Sequence, residues 1–336
     1  MEKGNSTNLY RELIKYPQLV DFLHSSEDLH YLFDVLPHLS EERKMVYKEL
    51  YSKVGNTPVT TILLPNDNKL FVKRECDNGM GNNHYSRYWI IHLALAESLG
   101  LIKRGDTTIL EISSGSSGIS LSMACKELDY KLKIIIPENL PKGRVDAMNR
   151  DCTTIIKVPG YLGNCREFFL QEKDKADYYI PNHSEEKADL ISFVFSRVAY
   201  EFISKYGTVD NVVLGLGNGS SSYSIGKVFK KDNSACKIYS FYPSTNNGKI
   251  VFGLYADNLT FRHINLIQRE KLVEKEFYID DISLDSVYDI FSNYPIVKDW
   301  GCSSLFALFF ASRIVEGKSN KSVFSVAYDK INRYYE

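Results

Sequence analysis

Thr107-Thr-Ile-Leu-Glu-Ile112 runs directly into Ser113-Ser-Gly-Ser-Ser-Gly118, and that into Ile119-Ser-Leu-Ser-Met-Ala-Cys-Lys-Glu-Leu128. A short apolar run, a turn of small residues and a helical apolar period, in that order, make one strand–loop–helix unit. The order returns downstream. Val209-Asp-Asn-Val-Val-Leu214 reads as a buried strand, Gly215-Leu-Gly-Asn-Gly-Ser-Ser-Ser222 as its loop, and a helix is expected near Tyr223. Outward from these units, strands are expected at 69–73, 132–137, 155–158, 178–180, 237–241 and 322–326. Helices are expected at 88–99, 192–206 and 303–315. The alternation predicts an α/β fold on a mainly parallel sheet.

The first fifty residues differ. Leu13, Tyr16, Leu19, Phe22 and Leu23 recur at helical spacing, as do Leu29, Leu32, Phe33 and Leu36, then Met45, Tyr47, Leu50 and Tyr51. Glycine is absent between Gly4 and Gly55. The punctuation changes at Lys53-Val-Gly-Asn-Thr-Pro58, where a boundary is expected.

At about 150 residues per domain, 336 residues suggest roughly two domains. With 41 basic and 42 acidic residues, the formal net charge is -1, which gives no bulk attraction to nucleic acid or an anionic membrane. No apolar run reaches a membrane span, and the N-terminal residues lack an apolar signal core. The six cysteines include no CxxC pair, so a zinc or dithiol site is not indicated and no metal is expected. Scattered cysteines suit a reducing, cytoplasmic setting.

The two glycine–serine loops are the chemical candidates. Glycines allow tight turns and close approach of a ligand. Free amides and the helix dipole favour an anion at each helix start. The second loop is the stronger phosphate candidate. Its spacing matches a dinucleotide fingerprint only in part and lies too deep in the chain for one. Either loop alone is also what a plain βα turn looks like.

Together the motifs resemble a family. Val54-Gly-Asn-Thr-Pro58 is similar to the IGNTP opening of cysteine synthases, pyridoxal-phosphate (PLP) enzymes of fold type II, the tryptophan synthase β-like group. The 105–118 stretch resembles their GDTIVEPTSGNTG, and Lys133-Ile-Ile-Ile-Pro-Glu138 their strand ending in PE. Gly215 to Ser221 resembles the GVGTGGT phosphate cup. Gly301-Cys-Ser-Ser304 resembles GISSG, and Asp329-Lys-Ile-Asn-Arg-Tyr334 the closing DSGERY. The resemblance implies two three-layer αβα subdomains with mainly parallel sheets, behind a helical extension at 1–53. Within 54–336, the small subdomain would cover about 88–195 and the large one 54–87 plus 196–336.

It also implies roles. Gly217, Asn218, Gly219, Ser220 and Ser221 would hold the cofactor phosphate, and Ser303 would bond the pyridine nitrogen. A neutral hydroxyl there favours β-elimination and β-replacement over transamination. Ser113, Ser114, Gly115 and Ser117 would receive a substrate carboxylate. Asn182 or His183 falls at a substrate-contacting glutamine. A homodimer, PLP and a small amino-acid substrate are the implied partners, with neither nucleic acid nor membrane.

The pattern breaks where the family lysine belongs. In Lys73-Arg-Glu-Cys-Asp-Asn-Gly-Met-Gly-Asn-Asn-His-Tyr-Ser-Arg87, that position holds His84 or Tyr85, depending on which flank is aligned. Neither can carry the cofactor covalently, so PLP is expected without a covalent bond if it is bound. Ser116 replaces the asparagine that bonds the cofactor ring hydroxyl. Tyr255 stands where a substrate-facing glycine belongs. His84 or Tyr85 could act as acid or base, or form a polar helix start at the pocket rim. Lys73 reads as structural, Cys302 as a small buried cysteine and Arg87 as an ion-pair partner. Two functions follow. One is a divergent enzyme performing β-elimination or β-replacement on serine or an O-activated serine. The other is a catalytically degenerate homologue that binds PLP, another phosphate ligand or a partner protein in a regulatory role. The breadth of the retained pocket tips the sequence reading toward the enzyme.

Overall fold

The computed structural model describes residues 7–24, 29–185, 189–244, 251–254 and 261–335. Four helices come first: α1 (Thr7–Leu13), α2 (Pro17–His24), α3 (Leu32–Val35) and α4 (Glu41–Ser52). Pro17 splits the first periodic stretch. Its fixed φ and missing N–H suit the start of a new helix. Met45, counted in the apolar period, is 70% exposed, whereas Tyr47, Leu50 and Tyr51 are buried.

Two sheets follow. The first half of the alternating region contains β1 (Val59–Leu64), β2 (Asn68–Arg74), α5 (Tyr85–Ser98), β3 (Thr108–Ile112), α6 (Ser116–Leu128), β4 (Lys131–Pro137) and α7 (Lys142–Met148). Next come β5 (Thr153–Val158), α8 (Leu162–Glu172), β6 (Tyr178–Tyr179), α9 (Leu190–Tyr206), β7 (Asn211–Gly215), α10 (Ser220–Asp232) and β8 (Lys237–Tyr242). The chain closes with α11 (Arg262–Arg269), β9 (Lys275–Tyr278), α12 (Leu284–Ile290), α13 (Cys302–Ile314) and β10 (Ser322–Ala327). A four-stranded parallel sheet has the order β5-β4-β3-β6. A six-stranded sheet has the order β1-β2-β10-β7-β8-β9, antiparallel only between β1 and β2. This is the α/β architecture with two layered subdomains.

The inner strands of both sheets are apolar because helices cover both faces. Ile134, Ile135 and Ile136 in β4 and Val212, Val213 and Leu214 in β7 are fully buried. The N-terminal helices bury Leu9, Leu19 and Phe33 in the same core as Trp89, Ile90 and Leu93 of α5. Each such side chain contributes roughly 1.5–3 kcal/mol. Helix α9 serves two cores. Leu190, Ile191, Val194 and Phe195 belong to the first, and Val198, Ala199 and Phe202 to the core beneath β7 and β10.

Elements depart from the sequence reading at their edges. The helices expected at Tyr88, Ile119, Ser192 and Tyr223 begin at Tyr85, Ser116, Leu190 and Ser220. At 116–118 and 220–222, serines and a glycine read as loop already adopt helical geometry in the first turn. Strand β1 is not among the strands expected from the sequence. Its hairpin turns through Asn66 (φ 61°) and Asp67 (φ 57°), residue types that tolerate left-handed backbone.

A buried charge knot joins the boundary turn to the core. Arg87 donates to Glu75 through Nε and Nη2 at 2.9 and 2.8 Å, and also pairs with Glu201. Lys73 Nζ pairs with Glu201 at 2.7 Å and donates to the Thr57 carbonyl at 2.7 Å. The Thr57 hydroxyl and the Asn78 amide donate to Glu75, and the Gly55 amide donates to Asn78. The two cations hold Glu75 below the usual carboxylate range and Glu201 down at about 2, against the opposing effect of burial. Removing one partner strands a buried charge, so Arg87→Met is expected to cost about 3–5 kcal/mol. Urea unfolding of the full chain, followed by Trp fluorescence, checks this. A loss under about 1 kcal/mol would show that the knot contributes little.

Candidate functional site

A cavity of about 340 Å³ lies between the two sheets. Its floor is His84 and Tyr85, at the start of α5. The loop before them is left-handed at Met80, Gly81 and Asn82. Asn83 then fixes the helix start, its Oδ1 accepting from the Tyr85 amide and the Ser120 hydroxyl, both at 2.9 Å. The His84 and Tyr85 rings lie 4.5 Å apart and both pack on Phe195. His84 also meets Tyr328, at 4.9 Å.

None of these groups is poised for proton transfer at neutral pH. Burial lowers the His84 imidazole to about 3 and raises the Tyr85 phenol to about 12. Tyr328 is likewise pushed up by burial. Lys73 does not line the cavity, and Lys173, near its mouth, is the only lysine among the described lining residues.

The first serine loop forms one wall. Residues 113–117 all line the cavity, but their side chains point in different directions. The Ser113 hydroxyl turns into its own loop and accepts from the amides of Gly115 (3.1 Å) and Gly118 (2.9 Å). Ser117 Oγ accepts from the Trp89 indole at 3.1 Å. Ser116 Oγ donates to Asp329 at 3.4 Å. The Ser114 carbonyl accepts from Arg144 at 2.8 Å. Asn182 (φ 48°) and His183 lie opposite, with the His183 amide donating to Glu111 at 3.2 Å.

The second loop forms another wall. Gly217, Asn218 and Ser221 line the cavity, whereas Gly219 and Ser220 sit behind them. A Cβ at Gly217 would come within 2.7 Å of the Gly253 carbonyl, so the close approach of those backbones requires glycine. The amide and hydroxyl of Ser220 donate to Asn218 Oδ1 at 3.1 and 2.7 Å. Asn218 Nδ2 reaches the Tyr85 hydroxyl at 3.3 Å and the Ser184 hydroxyl at 3.2 Å. Ser303, on α13, lines the cavity and hydrogen-bonds Tyr334. Tyr255 lies outside the described residues.

Several residues at or beside the cavity had no reading of their own in the sequence. Arg144, on α7, is buried and pairs with Asp329 at 3.1 Å. Tyr328 follows the last strand and meets the site only through the fold, and it brings Asp329, known from the sequence as the start of the 329–334 stretch, to the cavity. On α8, Leu162, Arg166 and Phe169 share the cavity face. Their spacing of three to four residues was the available signal.

Residues 50–255 match the family model described as pyridoxal-phosphate dependent enzyme. The chain belongs to that family. A cysteine synthase from a Flavobacterium species is 26% identical over 205 residues, 59% of this chain and 66% of the relative. The match thus spans just under two thirds of that relative's length. Among solved structures, an O-acetylserine dependent cystathionine beta-synthase from Helicobacter pylori has a TM-score of 0.73 at 19% identity. That alignment covers 85% of this chain and 96% of the other. A cysteine synthase from Entamoeba histolytica has a TM-score of 0.72 at 20% identity, covering 88% and 91%. These two structures share the fold. Pyridoxal phosphate is the family's cofactor, and the site fits it in part. Gly217, where only glycine fits, and Ser303 would suit its polar ends, while the position the resemblance gives to the lysine offers the His84 and Tyr85 rings and no amine.

The depressed His84 has a measurable consequence. A histidine whose folded pKa lies below its ordinary 6.5 takes up a proton on unfolding. Its contribution is complete above pH 6.5 and is lost as pH falls toward 3. His92, also lowered to about 3 by burial, behaves alike. Each adds about 1.4 kcal/mol per pH unit near pH 5. His84→Gln should remove one of these two contributions from the slope. Urea unfolding at pH 7, 6 and 5 measures it, and an unchanged slope would show that His84 is protonated in the folded protein.

Proposed function

We propose that the cleft binds a small amino acid such as serine or an O-activated serine, holds PLP without a covalent bond, and does not perform the lysine-dependent reaction of its family. The observation that carries this reading is the floor of the cavity. His84 and Tyr85 stand there, one or the other at the position that the resemblance gives to the lysine, and burial moves their proton affinities away from neutrality in opposite directions.

The remaining residues support binding. The start of α6 and the loop before it offer donors and a helix dipole to a carboxylate. Glu111 and His183, facing that loop, supply groups for an ammonium or hydroxyl. Gly217, Asn218 and Ser221 would hold a phosphate, and Ser303 the pyridine nitrogen. Bound there, PLP would supply an electron sink beside the amino acid's Cα. Asn218 has to turn from Ser220 to free the cup, which keeps phosphate affinity modest.

A second reading is slow β-replacement on O-acetylserine without a lysine, and the likeness to cysteine synthases favours it. Titration of the purified chain with PLP, then borohydride reduction and intact-mass measurement, separates the two. The expected result is saturable PLP binding with no mass gain, and no acetate release from O-acetylserine with sulfide. Tyr85→Lys should then yield a reducible adduct. A wild-type adduct on any lysine, or acetate release, would overturn the proposal. Absence of PLP binding would remove the cofactor from it.

A further inference from the structure

We propose that Arg144 is a positioning residue that clasps the two halves of the cleft and fixes the conformation in which loop 113–117 receives a ligand carboxylate. The proposal rests on the amino-acid-binding reading above.

Arg144 sits on α7, in the half built on the four-stranded sheet. Its side chain is 1% exposed. One arm, Nη1, donates to the Ser114 carbonyl at 2.8 Å, inside the serine loop of its own half. The other arm, Nη2, crosses the cleft. It donates to the Phe252 carbonyl at 3.0 Å and pairs with Asp329 Oδ2 at 3.1 Å. Phe252 follows β8 and Asp329 follows β10, both strands of the six-stranded sheet. The guanidinium lies 4.6 Å over the Tyr334 ring, and the Tyr334 hydroxyl donates to both Asp329 oxygens at 3.1 Å.

Three glycines make room for the arrangement. A Cβ at Gly115 would fall 2.1 Å from Arg144 Nη1, and one at Gly301 would fall 2.0 Å from Asp329 Oδ1. A Cβ at Gly143 would fall 2.2 Å from the Asn332 carbonyl, where α7 meets the C-terminal segment. Gly115 carries φ 151°, so the serine loop bends at the point where Arg144 lies against it. A planar fork can serve the loop and the opposite half together, whereas an ammonium cannot span both. Because one rigid plane carries both arms, moving Phe252 and Asp329 away displaces the guanidinium and with it the loop carbonyl of Ser114. Loop geometry and cleft width change as one.

Hydrogen exchange on the full-length chain tests the clasp without a ligand. In Arg144→Met, exchange should rise by about tenfold or more at 113–118 and at 251–254 together, while the core amides of β4 and β7 hold. Asp329→Asn should act in the same direction, and Arg144→Lys should lie between wild type and Met. Acceleration at one segment alone, at neither, or uniformly through the core strands would overturn the proposal. A calorimetric arm uses L-serine and inorganic phosphate as probes. Arg144→Met should weaken L-serine by about tenfold and change phosphate by less than about twofold; an equal loss of both would also overturn it. If wild type binds no L-serine, the amino-acid reading falls, and the exchange result still decides the clasp.

Discussion

Three buried charges, Lys73, Glu75 and Arg87, together with the part-buried Glu201, set the frame for the cleft. They come from the end of β2, the turn after it, the start of α5 and the middle of α9. Two cations and two anions cancel, and most of their hydrogen-bonding positions are filled by one another or by Thr57 and Asn78. That closure is what makes their burial tolerable, because an unpaired charge there would cost several kcal/mol. The knot pins both ends of the 75–87 connection. Between those ends the chain presents His84 and Tyr85 to the cavity.

The cleft follows from where two parallel sheets end. The loops after β3 and β7 open toward each other, and each leads into a helix whose first turn faces the shared space. Their chemistry has diverged. Residues 113–117 line the cavity together with Glu111 and His183. Around 217–221 the protein satisfies its own donors, through Asn218 and the Tyr85 hydroxyl. Tyr85, on the floor of the cavity, thus touches the wall made by the second loop, and the floor and the internal closure of the cup form one connected arrangement.

Sequence order carried much of this fold. Strand–loop–helix units are local, and the residues that define them lie within a few positions of one another. Helix starts were misplaced because a serine that lines a loop and a serine in a first helical turn look alike until the backbone is known. The β1 hairpin was missed although Asn66 and Asp67 are the residues such a turn uses. In the site, the two loops and Ser303 could be found because each is a continuous stretch. Arg144 and Tyr328 could not, since only the folded chain brings residues so far apart together. Residue type also left direction undetermined. Ser113 and Ser117 are donors by composition, yet one caps its own turn and the other faces an indole.

Helix α9 spends its first turns in one hydrophobic core and its later turns in the other. A rod shared in this way denies either half an independent existence. Cutting the chain anywhere within it would leave each fragment with a short helix and an uncovered apolar face, so the halves are not separable modules. It also couples the two cores, because one seventeen-residue helix packs in both.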